Sequence, residues 1–209
     1  MKNLIVLFCF TCVICMNSSI YAQDSTAILE SIPENYMERH PIYDYDVLKL
    51  NNSDTIPDFK SKINKLKISG IIYESDGVTP AKDIILYIEH ANDNGDFDLK
   101  THHDKRYVYH RGWIKTDADG QYTFYTFIPG NDRRYNQLQQ LFPVIKEPSK
   151  PEYEIASFLF DEDPLLTKLC RKRITKKGDP TRILKLKKED GVFVVQKNII
   201  LNSNIETTK

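Results

Sequence analysis

The sequence predicts an all-β protein: a β-sandwich with one C-terminal helix and an extended N-terminal leader. Three observations carry that expectation. Short segments of alternating apolar and polar residues recur from Lys65 onward, Asp-Gly and Asn-rich turn signals separate them, and a helical period occurs convincingly only after Asp163. At 209 residues and 41% hydrophobic content the chain can bury one good core, and a single folded domain is the simplest organisation.

The elements follow in order. Leu66, Ile68, Gly70 and Ile72 alternate with Lys65, Lys67, Ser69 and Ile71, which makes a strand with one buried face before the Asp76-Gly77 turn. Ile84 to Glu89 is apolar on both faces at Ile84, Ile85 and Leu86, as a central strand would be, and Asn92-Asp93-Asn94-Gly95 is a polar turn. Trp113–Lys115 and Tyr122–Thr126 flank Thr116-Asp117-Ala118-Asp119-Gly120-Gln121 and read as a hairpin. Asp-x-Asp-Gly also opens calcium loops, but Ile128 stands where the closing Glu is needed. Glu154–Phe160 reads as another strand. The helix takes Asp163 as N-cap, Pro164 at N1, a stripe of Leu165, Leu166, Leu169 and Ile174, and Gly178 as its stop. A terminal hairpin follows, with Ile183, Leu184 and Leu186, a turn at Asp190-Gly191 and Val192–Val195, before a last strand at Ile199–Leu201.

The N-terminus has a different character. Lys2 precedes an apolar run from Leu4 to Met16, too short to span a bilayer comfortably, and Ala22 closes a polar stretch. Residues 1–22 are therefore expected to be a cleaved signal peptide, with the mature chain beginning near Gln23 and exported to a periplasmic or extracellular location. A retained anchor is the alternative; a lipoprotein is disfavoured, because Phe8, Thr11 and Ile14 precede Cys9, Cys12 and Cys15. Of four cysteines only Cys170 would remain, so the mature chain forms no internal disulfide. Residues 23–62 are polar, carry Pro33, Pro41 and Pro57, and form the leader, with Tyr36, Tyr43, Tyr45 and Leu48 as anchors on a sandwich domain spanning 63–209.

Lys plus Arg and Asp plus Glu both total 29, so no overall field draws in nucleic acid, and no transmembrane span is expected in the mature chain. The run containing Arg171, Lys172, Arg173, Lys176, Lys177, Arg182, Lys185, Lys187 and Lys188 reads as a solvated helix end and a lysine-guarded edge strand, with polyanion contact as the alternative.

One ordered set of motifs goes further. Gly70 with Asp76-Gly77, Gly95-Asp96-Phe97, Arg111-Gly112 and Thr116-Asp117-Ala118-Asp119-Gly120-Gln121-Tyr122-Thr123-Phe124 occur in the order found in intradiol ring-cleavage dioxygenases, and about two thirds of the chain resembles that family. The resemblance implies a β-sandwich built around non-haem iron(III) held by two tyrosinates and two imidazoles. The matching positions here are Phe97, Asp132, Gln140 and Phe142: Pro129-Gly130 leads to Asn131-Asp132, and Gln140-Leu141-Phe142-Pro143 follows at the family's interval. Ferric iron is a hard cation, whereas Phe97 and Phe142 have no lone pair to offer and Asp132 and Gln140 are weak replacements. The two phenylalanines are expected to be buried together in the vacated space.

Fallback metal candidates are His102, His103 and His110, with Tyr135 if the register shifts. Cys170, beside the apolar stripe of its helix, reads as a buried or half-buried structural thiol. The expected function is a non-catalytic binding or interaction protein without a cofactor, taking an aromatic or apolar small molecule or a protein partner. Trp113, Tyr107, Tyr109, Tyr122, Tyr125 and the two phenylalanines are candidates for an aromatic pocket. The alternative is an iron(III) intradiol dioxygenase acting on catechol-type aromatics.

Overall fold

The computed structural model describes residues 32–202. The expected signal peptide and the first part of the leader lie outside the described residues. The strands are β1 (Ser53–Thr55), β2 (Lys65–Tyr73), β3 (Ile85–Glu89), β4 (Leu99–His102), β5 (Lys105–Val108), β6 (Arg111–Lys115), β7 (Gln121–Phe127), β8 (Gln140–Lys146), β9 (Tyr153–Glu154) and β10 (Phe158–Phe160). Helix α1 (Lys168–Lys177) follows, then β11 (Ile183–Leu184), β12 (Lys187–Glu189), β13 (Val192–Gln196) and β14 (Ile199–Ile200).

These strands form the expected sandwich. One sheet runs β1-β7-β2-β13-β12, with β14 also on β2; the other runs β11-β10-β8-β3-β6, with β9 on β8; β4 and β5 make a separate hairpin. Between the sheets lies a core that includes Leu66, Ile68, Ile72, Leu86, Ile114, Phe124, Leu141, Ile145 and Phe160. The period of two on β2 and β7 places the apolar side chains of these strands inside and leaves Lys65, Lys67 and Thr123 outside. Strand β3, apolar on both faces, is central between β6 and β8, as its composition predicts.

Three connections differ from the sequence expectation. β6 and β7 are not a hairpin: β6 pairs with β3, whereas β7 pairs with β2 and β1, so Thr116–Gly120 carries the chain from one sheet to the other. Thr116 anchors the crossing. Its buried hydroxyl donates to the Ala81 carbonyl and accepts from the Ile84 N–H, while the Asp117 carboxylate accepts from Asp119 and Gln121 backbone N–H groups. Ile183–Leu184 likewise joins β10 in parallel and leaves the final hairpin to β12 and β13, whose Asp190-Gly191 turn has positive φ at both residues, 47° and 84°. The helix starts later than expected, capped by Thr167, whose hydroxyl accepts from the Cys170 N–H. Asp163 is instead spent on the Leu165 and Gln139 N–H groups and the Asn131 amide. Leu169 is exposed and Cys170 is half-buried, so α1 lies on the surface.

The leader does more than drape. Its residues 53–55 add β1 to the edge of β7, and Asp54 Oδ2 accepts the Trp113 N–H at 2.9 Å. Tyr43 is buried, with its hydroxyl on Glu152, but Leu48 is 95% exposed and anchors nothing; Ile42, fully buried against Tyr87 and Val144, takes that role.

Candidate functional site

The positions matched to the family's iron ligands converge at one end of the β3–β8 pair. Two glycines bring the loops together: a Cβ on Gly95 would lie 2.6 Å from the Asn131 carbonyl oxygen, and one on Gly130 would lie 2.3 Å from that of Asp93. Only glycine permits backbones that close. Phe97, on the first loop, thus meets Phe142 of β8, with ring centroids 5.8 Å apart at a tilt of 49°. Both rings are half-buried, so the expectation that they are buried together is corrected: they meet, but neither is enclosed in core, and Phe142 lines a cavity.

The other two positions are already engaged. The Arg134 guanidinium donates to the Asp132 carboxylate through Nε at 3.0 Å and Nη2 at 2.7 Å, and the Arg134 N–H adds a bond at 2.8 Å. That fork holds the Asp132 carboxyl below its ordinary range. Gln140 Oε1 accepts from the Ser157 hydroxyl at 3.0 Å, and Ser157 Oγ in turn accepts from Arg182 at 2.6 Å. Two hydrocarbon rings, one carboxylate closed by a guanidinium and one bonded amide do not fit the ferric donor set of the family.

Beside Phe142 lies a cavity of about 400 Å³, walled by Phe142, Val144 and Ile155 and edged by His40, Tyr87 and Glu89. Tyr87 and Glu89 stand on one face of β3 through its period of two, and the Tyr87 hydroxyl donates to the Glu89 carboxylate. Burial raises the Tyr87 phenol well above its usual range, with the Glu89 charge adding to it. The leader supplies His40, whose ring meets Tyr87 edge-on at 5.8 Å. His40 Nδ1 accepts the Ile42 N–H at 3.0 Å, which leaves the proton of the neutral ring on Nε2, and burial lowers its pKa. Glu154, Ser157 and Arg182 complete the lining, so the apolar wall faces two carboxylates, an imidazole and a guanidinium, a mixture that suits a small ring-bearing molecule with polar substituents. Nothing near His40 in sequence marks it as a site residue, and the i, i+2 spacing of Tyr87 and Glu89 is the one local signal of this edge.

The aromatic residues expected to share one pocket are divided. Tyr107, Tyr109 and Trp113 line a second cavity of about 380 Å³ with Tyr45 of the leader, and the Arg111 guanidinium lies 3.9 Å from the Tyr107 centroid and 4.9 Å from that of Trp113. Tyr122 is core, its hydroxyl donating to the Lys197 carbonyl at 2.5 Å, and Tyr125 lies on the other sheet.

The fallback metal residues are not brought together either. His102 and His103 are exposed at the tip of the β4–β5 hairpin, while His110 is buried beyond its base, with Nε2 3.1 Å from Asp58 Oδ2. Tyr135 is 80% exposed and does not turn inward. Among the described residues no group of three or more His, Cys, Asp or Glu is placed to hold a metal. His110 instead stacks on His90 at 5.8 Å. His90 is fully buried: Nδ1 donates to the Ala91 carbonyl at 2.7 Å, Nε2 accepts from Thr126 Oγ1 at 2.6 Å, and burial pushes its pKa down to about 4.

The fold is that of the intradiol ring-cleavage dioxygenases. Solved structures of this class align over most of the chain at low identity. The dioxygenase domain of a dioxygenase carbohydrate-binding protein fusion from Streptomyces sp. SirexAA-E matches with a TM-score of 0.55 and 18% identity, over 73% of this chain and 88% of that one. An intradiol ring-cleavage dioxygenase from Tetranychus urticae matches at 0.52 and 15%, over 76% and 90%. Catechol 1,2-dioxygenase from Pseudomonas arvilla C-1 matches at 0.56 and 14%, over 76% and 58%. No protein-family model matches the sequence, and no curated protein matches it either.

Proposed function

We propose that this chain is an exported, non-catalytic binding protein on the intradiol dioxygenase fold, which takes a small aromatic or apolar molecule in the cavity beside Phe142. The observation that carries the reading is the state of the matched ligand positions. Phe97 packs on Phe142, Arg134 closes Asp132, and Ser157 holds Gln140. On this reading the positions that hold iron in the family carry a ring pair, one member of which, Phe142, lines the cavity.

The test has two arms. Metal analysis of the purified chain is expected to find no stoichiometric iron, and oxygen uptake with catechols is expected to be absent. Thermal-shift and calorimetric titration against a panel of phenols, aromatic acids and apolar aromatics should find a ligand whose binding is lost in Ala156→Phe, which fills the cavity from its rim. One iron per chain with oxygen uptake would replace this reading with the enzyme. A ligand unaffected by Ala156→Phe would place binding elsewhere.

A further inference from the structure

The charge of the chain is balanced overall but segregated in sequence. From Lys168 to Lys188 there are ten Lys and Arg residues against one acidic residue, Asp179, and Asp179 is paired with Lys197 at 3.1 Å. The fold adds a lysine from elsewhere to part of this cluster. Register pairs Lys187 with Val194, Val194 with Lys67, and Lys67 with Tyr125. These four residues form one row across β12, β13, β2 and β7, and residues directly opposite in a sheet project from the same face. Burial alternates along β2, with Leu66 and Ile68 inside, so the row is on the outer face. Lys67 and Lys187 are two strand spacings apart, about 10 Å.

This row borders a cavity of about 500 Å³ lined by Lys67, Lys185 and Lys187 and by the polar side chains of Ser69 and Gln196; Thr181 also lines it, but its hydroxyl is taken, donating to the Asp179 carboxylate and accepting from Lys197 Nζ. Among the described residues none of the three lysines forms an ion pair. Glu189 is the one carboxylate on the lining, beside Lys187 on the hairpin. Three unneutralised cations around polar hydroxyl and amide groups are a recognition surface for a polyanion that also carries hydroxyls.

We infer that this outer sheet face binds an acidic polysaccharide, with Lys67, Lys185 and Lys187 pairing with its carboxylates or sulfates and Ser69 and Gln196 bonding its hydroxyls. A nucleic acid fits less well. Its bases need open aromatic faces, and Tyr125, the aromatic residue of the row, is taken by Phe59 at 5.7 Å and by Lys67 at 5.8 Å. The inference is independent of the cavity beside Phe142, with which this one shares no lining residue.

The experiment is calorimetric titration of the full chain with polygalacturonate, neutral dextran and a single-stranded oligonucleotide, at low and moderate salt. Binding to polygalacturonate that weakens with salt, with none to dextran, is expected. The combined Lys67→Ser, Lys185→Ser and Lys187→Ser variant should bind about tenfold more weakly or worse, while Lys172→Ser, Lys176→Ser and Lys177→Ser on α1, which remove the same charge, should change affinity by less than about twofold. Equal weakening in both variants, no binding to polygalacturonate, or tighter binding of the oligonucleotide would each overturn the assignment. Should circular dichroism show the triple variant misfolded, Lys187→Glu on the exposed edge strand repeats the test, and unchanged affinity there would overturn it.

Discussion

Truncating Phe142 to Ala tests how the matched ligand positions are filled. A fully buried Phe to Ala change costs about 3 to 5 kcal/mol, but Phe142 is half-buried and its outer side faces the cavity, so the expected loss is about 2 kcal/mol. Part of that loss belongs to the contact with Phe97. Tilted aromatic rings at 5.8 Å contribute about 0.5 to 1.5 kcal/mol beyond their area. In a double-mutant cycle with Phe97→Ala, the double variant should therefore be more stable than the sum of the singles implies, by about 1 kcal/mol. Urea unfolding of the four proteins, at matched m-values, measures this. A coupling indistinguishable from zero would show that the rings do not act as a unit. A single-variant loss near the full core value would show that Phe142 faces no cavity, and the proposed ligand site would go with it.

Three further outcomes are expected. His90 carries a folded pKa of about 4 against an ordinary 6.5, so the unfolded chain binds the proton more readily; stability is complete above about pH 6.5 and falls by about 3 kcal/mol as pH drops toward 4, which unfolding of wild type and His90→Gln across that window checks, the variant losing this component of the slope. Gly112→Ala would set a methyl group 2.8 Å from Asp54 Oδ2 and 3.1 Å from Ile56, so it should cost about 1 to 3 kcal/mol and quicken proteolysis within residues 44–62, whereas unchanged cleavage would mean that β1 is not docked there. Replacing Phe97→Tyr, Asp132→Tyr, Gln140→His and Phe142→His together should yield visible charge-transfer absorption with ferric iron, absent from the parent chain; a colourless product after iron loading would refute the matching of these positions.

The motifs around the centre were legible because each has a local physical cause. Alternation on β2, the doubly apolar β3 and the Asp190-Gly191 turn depend on residues close in sequence, and their structures agree with that reading. The family resemblance, which matches Phe97 and Phe142 to ligand positions of one site, implied that the two rings meet, and they do. What the sequence could not determine is which sheet each strand joins. Asp117–Gly120 has the chemistry of a hairpin turn, yet β6 and β7 part there, because their ladder partners β3 and β2 lie far away along the chain and Thr116 finds its bonds with Ala81 and Ile84. The site's polar edge was hidden for the same reason: His40 has no partner nearby in sequence and becomes part of the cavity only when Ile42 and Tyr43 bury against the β3–β8 face. Periodicity and turn chemistry are local and are written in adjacent residues, whereas sheet membership and the row that brings Lys67 and Lys187 to one face are set by long-range pairing, which only the packed chain decides.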